Sequence, residues 1–161
     1  MQFSGPTLVA VATGIVGSAW ASGVITSLTL ISIPSAKAVP EKAVAFWADL
    51  FARGAALMPK AGATVALAYA YVAYDVRCAG GQWQLFAAAA ASVMGIVPFT
   101  LLVMADTNDK LHKLHKDGTS GSEHHAKELL DRWGTMNFVR GLMPLAGSIL
   151  GFKAYLDNSH W

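Results

Sequence analysis

The feature that most constrains the fold is a run without any charged side chain from Thr7 to Ile33, which Pro34 ends. A helix needs about 20 mostly apolar residues to cross the hydrocarbon core of a bilayer. The run is much longer than the roughly 7–15 apolar residues of a signal peptide, and no basic residue precedes it. We therefore expect a retained membrane-spanning helix.

Three further apolar segments repeat this pattern, and the composition agrees with them. Only 14% of the residues are charged and 54% are hydrophobic, against roughly 25% charged residues in an average soluble protein. The sequence therefore predicts an all-α integral membrane four-helix bundle, with residues 1–161 as a single membrane domain. The predicted spans are 7–33, 58–76, 83–105 and 133–156.

Small residues in the first span predict how it packs. Gly14, Ser18 and Ser22 follow one another at intervals of four residues and so share one helix face. Small side chains at that spacing allow helix backbones to approach closely. We expect this face to contact neighbouring helices.

The segment between the first two predicted spans also has helical character. Pro40 followed by Glu41 is typical of a helix N-terminus. Residues 40–58 could lie in the membrane interface or could prolong the second span outside the bilayer, and the pattern allows both.

Basic residues predict the orientation of the chain, because cytoplasmic loops are enriched in Lys and Arg. Residues 34–57 with Lys60, and residues 106–132, hold most of the cations, whereas the opposite side holds Arg77 and Lys153. Loops 34–57 and 106–132 are therefore expected to be cytoplasmic, with both termini on the other side. The cations of the cytoplasmic side are Lys37, Lys42, Arg53, Lys60, Lys110, Lys113, Lys116, Lys127 and Arg132.

Several classes of function are disfavoured by what the chain contains. The net charge is only +2 and comes mainly from loops, which argues against nucleic-acid binding. The single cysteine, Cys78, cannot form an intramolecular disulfide or a CxxC pair. There is no glycine-rich phosphate loop and no GxSxG motif.

The histidines give little support to a metal centre or a haem. None lies within a predicted span, and neither the histidine boxes of membrane desaturases nor a Glu-x-x-His motif is present. We expect no metal site and no cofactor. The histidines are His112, His115, His124, His125 and His160.

The fourth span begins with an unusual polar face. Trp133, Asn137 and Arg140 stand at positions i, i+4 and i+7, which places them on one side of a helix. An arginine inside an apolar segment costs a few kcal/mol unless it is paired or reaches the interface. These residues could form a polar site, or Arg140 could extend to the interface beside a tryptophan of the aromatic belt.

Further polar residues follow the third span at the same expected depth. Thr100 comes shortly after Pro98, which removes one backbone hydrogen bond and usually bends a helix. Asp106 and Asn108 follow at the predicted cytoplasmic end. Asn108 could belong to a polar site or could simply cap a helix C-terminus.

Taken in order along the chain, these motifs resemble the fungal anthrone oxygenase family of small integral membrane proteins. The resemblance covers nearly the whole chain. Its elements are the Ser-rich first span ending at Pro34, Trp47, Arg53-Gly54, Pro59, Pro98-Phe99-Thr100, Asn108, Leu111 and Leu129-Leu130-x-x-Trp133-x-x-x-Asn137-x-x-Arg140.

The resemblance implies a cofactor-free monooxygenase that oxidises an anthrone, such as emodin anthrone, to the anthraquinone with O₂. It implies a small aromatic polyketide as substrate. Arg140, Asn137, Asn108 and His112 are then the candidate catalytic residues, and Trp133, Thr100 and Asp106 the candidate substrate-binding residues. His112, Asp106 and Asp75 are the candidates for the base.

A non-catalytic four-helix membrane scaffold or accessory protein is the alternative, because it would need only the packing faces and the basic loops. A carrier is disfavoured, since its ionisable groups would be expected near the middle of a span. For either function we expect contact with the lipid bilayer of the endoplasmic reticulum or another endomembrane. The polar end of the bundle would face the cytoplasm, and the sequence leaves the oligomeric state open.

Overall fold

Five helices make up the protein in the computed structural model, which describes residues 2–118 and 123–159. There is no strand among these residues, so the all-α prediction is confirmed. Ser4 caps the first helix by accepting a hydrogen bond from the amide of Thr7. The helices are α1 Gly5–Lys37, α2 Pro40–Cys78, α3 Gln84–Val103, α4 Ala105–Asp117 and α5 Glu123–Asn158.

Two of these helices, α1 and α3, are long and apolar enough to cross a membrane. A core helix of a soluble protein passes the same criterion, but such a helix is mostly buried. Only 33% of the most apolar stretch of α1 and 17% of that of α3 is buried here. Large apolar side chains such as Leu30, Leu101 and Leu102 are exposed instead. Exposed apolar surface of this extent is typical of a membrane-facing or protein-facing region.

The second and fourth predicted spans lie within α2 and α5, which do not meet that criterion, so the four-span arrangement stays a prediction. These helices have 39 and 36 residues. At a rise of 1.5 Å per residue they are about 58 and 54 Å long, well beyond a bilayer core of about 30 Å. The α2 helix runs without a break from Pro40 through Pro59. Residues 40–58 therefore prolong the second predicted span.

Tyr69 of α2 holds three helices together in the first of two apolar clusters. Its side chain is fully buried, and its hydroxyl donates to the carbonyl of Gly147 on α5 at 3.0 Å. The hydroxyl oxygen of Ser18 on α1 lies 3.1 Å from the hydroxyl oxygen of Tyr69. Gly14, Ser18 and Ser22 are all buried, which confirms the predicted packing face of α1.

The second apolar cluster lies where α4 packs against the N-terminal halves of α2 and α5. Trp47, Leu111 and Trp133 are at most 1% exposed within it. The four long helices α1, α2, α3 and α5 therefore form one layer around Tyr69. A smaller layer of α2, α4 and α5 surrounds the two tryptophans, and the C-terminal end of α1 also contacts this second layer. Arg140 lies near the junction of the two layers.

Two short π-helical segments interrupt α1 and α3 near this junction, at Leu28–Ser32 and at Phe99–Val103. Pro34 and Pro98 lie beside them, and a proline has no N–H with which to continue the α-helical hydrogen bonds. The prediction that Pro98 disturbs the third helix agrees with this geometry. Single π-helical turns of this kind are frequent at functional sites.

We expect Gly14→Ala to lower the stability of the bundle. A Cβ atom at this position would lie 2.6 Å from Cε1 of Tyr69, whose ring is held in place by the hydroxyl bond to α5. Inserting a carbon into a packed core costs about 1–3 kcal/mol. Thermal unfolding of the detergent-purified protein measures the effect.

Gly23→Ala on the same helix is the matched control, because nothing lies within 4 Å of the added Cβ. Equal melting temperatures for Gly14→Ala and Gly23→Ala would contradict the role of close packing at Tyr69.

Candidate active site

Asn137 is at the centre of a hydrogen-bond network between three helices. Its side chain is fully buried, and its amide nitrogen donates to the carbonyl of Ile25 at 2.7 Å and to the hydroxyl of Thr29 at 2.9 Å. Its amide oxygen accepts from a terminal nitrogen of Arg140 at 2.5 Å. The amide therefore fixes α1 against α5 and orients the guanidinium at the same time.

Each π-helical segment contributes one threonine to this network. Thr29 accepts from Asn137 and donates to the carbonyl of Gly134 at 3.0 Å. Thr100 accepts from the other terminal nitrogen of Arg140 at 3.3 Å and donates to the carbonyl of Ile96. The two π-helical turns thus direct their threonine hydroxyl groups toward the polar face of α5 that carries Asn137 and Arg140.

Arg140 retains unused capacity to bind an anion. Its Nε atom is buried without a hydrogen-bond partner, although a guanidinium carries five N–H donors. Among residues 2–118 and 123–159 no carboxylate lies within ion-pair distance of it. The positive charge is therefore held by neutral groups alone and is not cancelled within the described chain.

Trp133 and Asn108 form the second polar contact of the site. The indole nitrogen of Trp133 donates to the side-chain oxygen of Asn108 at 3.1 Å, and both residues are buried. This bond connects the polar face of α5 with α4. Trp133, Asn137 and Arg140 thus face the interior along one side of α5, while Arg140 contacts Thr100 rather than Asn108.

Trp47 of α2 lies next to Trp133 in a cluster of aromatic rings between α2, α4 and α5. The rings of Trp47 and Trp133 are 6.1 Å apart at 84°. The imidazole of His112 lies 4.9 Å from Trp47 and 5.0 Å from Phe51. His112 is itself exposed, so it covers the edge of a buried aromatic cluster.

The structure does not bring Asp106 into this network. Its carboxylate accepts from Lys110 at 2.8 Å and lies 3.7 Å from Arg132, on the exposed surface. The hydrogen bond from Lys110 lowers the pKa of Asp106 below its ordinary value, because it favours the charged form. Asp106 is therefore a carboxylate at neutral pH and a weak proton acceptor.

Asp75 lies at the other end of the bundle. Its carboxylate accepts from the hydroxyl of Thr7 at 2.7 Å, near the start of α1. The same helix contacts Asn137 at Ile25, eighteen positions further on, which corresponds to about 27 Å along the axis. Asp75 and Arg140 are therefore too far apart to act on one small molecule.

No group of three or more His, Cys, Asp or Glu side chains is placed to hold a metal ion within the described ranges. Of the five histidines, His160 lies outside those ranges. His124 and His125 are exposed beside Glu128 on the first turns of α5.

A groove of about 620 Å³ opens between the α1–α2 connection and the start of α5. Leu130 at its floor belongs to the same apolar cluster as Trp133. Lys37 and Lys127 line it, and Lys37 forms an ion pair with Asp131. Arg140 and Asn137 do not line this groove.

Thr29 and Trp47 are the site residues that the sequence did not assign. Thr29 lies in an apolar run that also holds several other serines and threonines. The local feature that sets it apart is Pro34, five positions later, because a proline there disturbs the helix near Thr29. Trp47 belongs to the motifs that resemble the family, but nothing in its spacing connects it to residues 108, 112 and 133. Both positions depend on contacts between segments that are far apart in sequence.

The fold and the site define an α-helical protein with two helices apolar enough to cross a membrane and a centre formed by a half-buried arginine and a buried asparagine. A sequence model of the anthrone oxygenase family matches residues 47–150. This chain belongs to the anthrone oxygenase family.

Individual relatives agree with that assignment. The anthrone oxygenase tpcL of Aspergillus fumigatus is 31% identical over 97% of this chain and 99% of its own length. The anthrone oxygenase encC of the same species is 36% identical over 90% of this chain and 91% of its own. The monooxygenase hypC of Dothistroma septosporum is 35% identical over 81% and 74%. No solved structure matches the chain.

We expect Thr29→Val to destabilise the junction of α1 and α5. Valine has the shape of threonine but leaves the amide of Asn137 and the carbonyl of Gly134 without one partner each. An unsatisfied buried polar group costs about 1–3 kcal/mol. Thermal unfolding of the purified protein gives the difference from wild type.

Thr13→Val provides the control on the same helix, since the hydroxyl of Thr13 bonds only to the carbonyl of Val9 one turn earlier. If both variants unfold at the same temperature, the hydroxyl of Thr29 does not hold the two helices together.

Proposed function

We propose that the protein is an anthrone oxygenase, which oxidises an anthrone of aromatic polyketide biosynthesis to the anthraquinone with O₂. Membership of the family supports the class of reaction. The observation that carries the mechanism is the half-buried guanidinium of Arg140, which has an unpartnered Nε and no carboxylate partner among the described residues.

The chemistry needs little from a protein beyond acid–base and electrostatic groups. The methylene of an anthrone lies between two aryl rings and opposite a carbonyl, so loss of a proton gives a delocalised anthrolate. This anion transfers one electron to O₂, and the radical and superoxide combine to a peroxide at the former methylene carbon. Protonation and loss of water then leave the second carbonyl, so one anthrone and one O₂ give one anthraquinone and one water.

Arg140 would stabilise the anthrolate and the superoxide, because fixed donors near a developing anion lower its energy most. Asn137 and Thr100 hold the guanidinium in place through the bonds described above. Asn108 would bond a substrate oxygen, and Trp133, whose indole it fixes, would stack on the tricycle.

His112 is the proposed base. Asp106 is exposed, and its charge is paired with Lys110 on α4 and Arg132 on α5, so it is a weaker candidate for the base. Asp75 lies at the opposite end of the bundle. The imidazole of His112 borders the buried aromatic cluster and is open to water, which gives an accepted proton a route out.

For the membrane we propose four spans, 7–33, 58–76, 83–105 and 133–156, in the endoplasmic reticulum or another endomembrane. The exposed apolar surfaces of α1 and α3 support membrane insertion. The excess of cations near the α1–α2 connection and α4 supports a cytoplasmic location for the end that carries Arg140. An apolar substrate released in the cytosol would reach the site from that side.

Arg140→Ala should lower turnover by roughly 10²-fold or more, since removal of one donor to a developing anion costs about 2.7–4 kcal/mol. Arg140→Lys should recover only part of the activity, because an ammonium cannot reproduce a planar fork with several donors. Anthraquinone formation per folded, detergent-purified molecule is the measurement.

Arg132→Ala is the matched control, since Arg132 is an exposed arginine two turns earlier on the same helix. An Arg140→Ala protein that folds normally and turns over like Arg132→Ala would refute the proposed role of the guanidinium. An interfacial role alone would let Arg140→Lys work nearly as well as wild type.

The reaction should proceed without a metal or an organic cofactor. Purified protein should convert anthrone in the presence of EDTA and should contain no stoichiometric iron, copper, haem or flavin by elemental analysis and absorption. Stoichiometric metal whose removal abolishes turnover, and whose return restores it, would contradict the cofactor-free mechanism.

Labelling of single cysteines on either side of the membrane tests the proposed topology. Cys78 is free and exposed at the end of α2, on the side predicted to be non-cytoplasmic. Lys116→Cys in a Cys78→Ser background reports the side of α4. An impermeant maleimide added to intact microsomes should label Lys116→Cys at once and Cys78 only after permeabilisation. Labelling of both from one side would contradict this topology.

A further inference from the structure

The indole nitrogen of Trp47 is a buried donor without a hydrogen-bond partner. The side chain is 0% exposed, and its neighbour Trp133 by contrast bonds to Asn108. An indole N–H can only donate, and a buried donor left unpaired costs about 1–3 kcal/mol. Because this N–H has no partner in the free protein, a bound ligand that carries a hydrogen-bond acceptor would satisfy it.

The surroundings of Trp47 select the kind of ligand. Its ring neighbours are Phe51, His112 and Trp133, at centroid distances of 5.3, 4.9 and 6.1 Å. Aromatic walls favour a flat aromatic molecule over a polar chain. His112 is exposed and lies against the ring of Trp47, so it is the side of this cluster that borders solvent.

Trp47 also borders the face of α5 that carries Arg140. It contacts Trp133, which precedes Arg140 by seven residues on α5, or about 10 Å along the helix axis. A tricyclic molecule that lies along this face of α5, against Trp133, would have Arg140 on one side and the indole of Trp47 on the other.

We propose that the N–H of Trp47 donates a hydrogen bond to a phenolic oxygen of the substrate and thereby selects hydroxylated anthrones over unsubstituted ones. This specificity role rests on the proposed anthrone oxidation. A neutral donor within an aromatic enclosure suits a neutral phenol, whereas the anion that forms on the central ring is left to the charge of Arg140.

The test compares kcat/KM for a polyhydroxylated anthrone with kcat/KM for unsubstituted anthrone. In Trp47→Phe the ratio should fall roughly tenfold, because the variant keeps an aromatic ring and loses the donor. The value for unsubstituted anthrone should change little. Trp83→Phe is the control, since Trp83 lies at the opposite end of the bundle beneath Arg77 and should leave the ratio unchanged.

A merely structural role for Trp47 would lower both values together and leave their ratio as in wild type, which would overturn the proposal. If Trp47→Phe does not fold, benzothienylalanine can be placed at this position, because it keeps the shape of the indole and replaces the N–H by sulfur. The ratio of the two kcat/KM values is then measured for that variant and should fall in the same way. A wild-type protein that oxidises no anthrone at all would instead contradict the proposed function.

Discussion

The side-chain amide of Asn137 connects the fold to the site. It donates twice to α1, at Ile25 and Thr29, and accepts once from Arg140 on its own helix. Arg140 in turn reaches Thr100 on α3. Three helices are thus joined through one buried amide, and the orientation of the guanidinium follows from the way in which those helices pack. The close contacts around Tyr69 keep the same helices together in the other layer of the bundle.

A cation at this depth is stable only because neutral dipoles surround it. Thr100 and Asn137 take the place that a carboxylate would occupy in an ion pair, and Thr29 in turn accepts a hydrogen bond from the amide of Asn137. A carboxylate would stabilise the arginine more strongly but would also neutralise it. In the proposed mechanism, neutral partners leave the charge available to the anionic intermediate, because a partly buried charge interacts with an anion more strongly than one in bulk water. Asp106 shows the contrast, because its charge is committed to Lys110 and Arg132.

Local patterns in the sequence predict the helices, the packing face of α1 and the shared face of Trp133, Asn137 and Arg140, since each depends on helical periodicity alone. The partners of these residues could not be predicted in this way. The bond between Asn137 and Thr29 joins residues 108 positions apart, and the contact between Trp47 and Trp133 depends on how α4 fits between two long helices. The extension of α2 through Pro59 was one of two open alternatives, because helix propensity does not reveal what a segment packs against.

A structure of the protein with its anthraquinone product bound tests the central claim most directly. The account predicts that a quinone oxygen lies within hydrogen-bond distance, about 3 Å, of the guanidinium of Arg140, with the ring system against Trp133. Product bound only in the groove beside Lys37 and Lys127, with no contact to Arg140, would contradict the assignment of the active site.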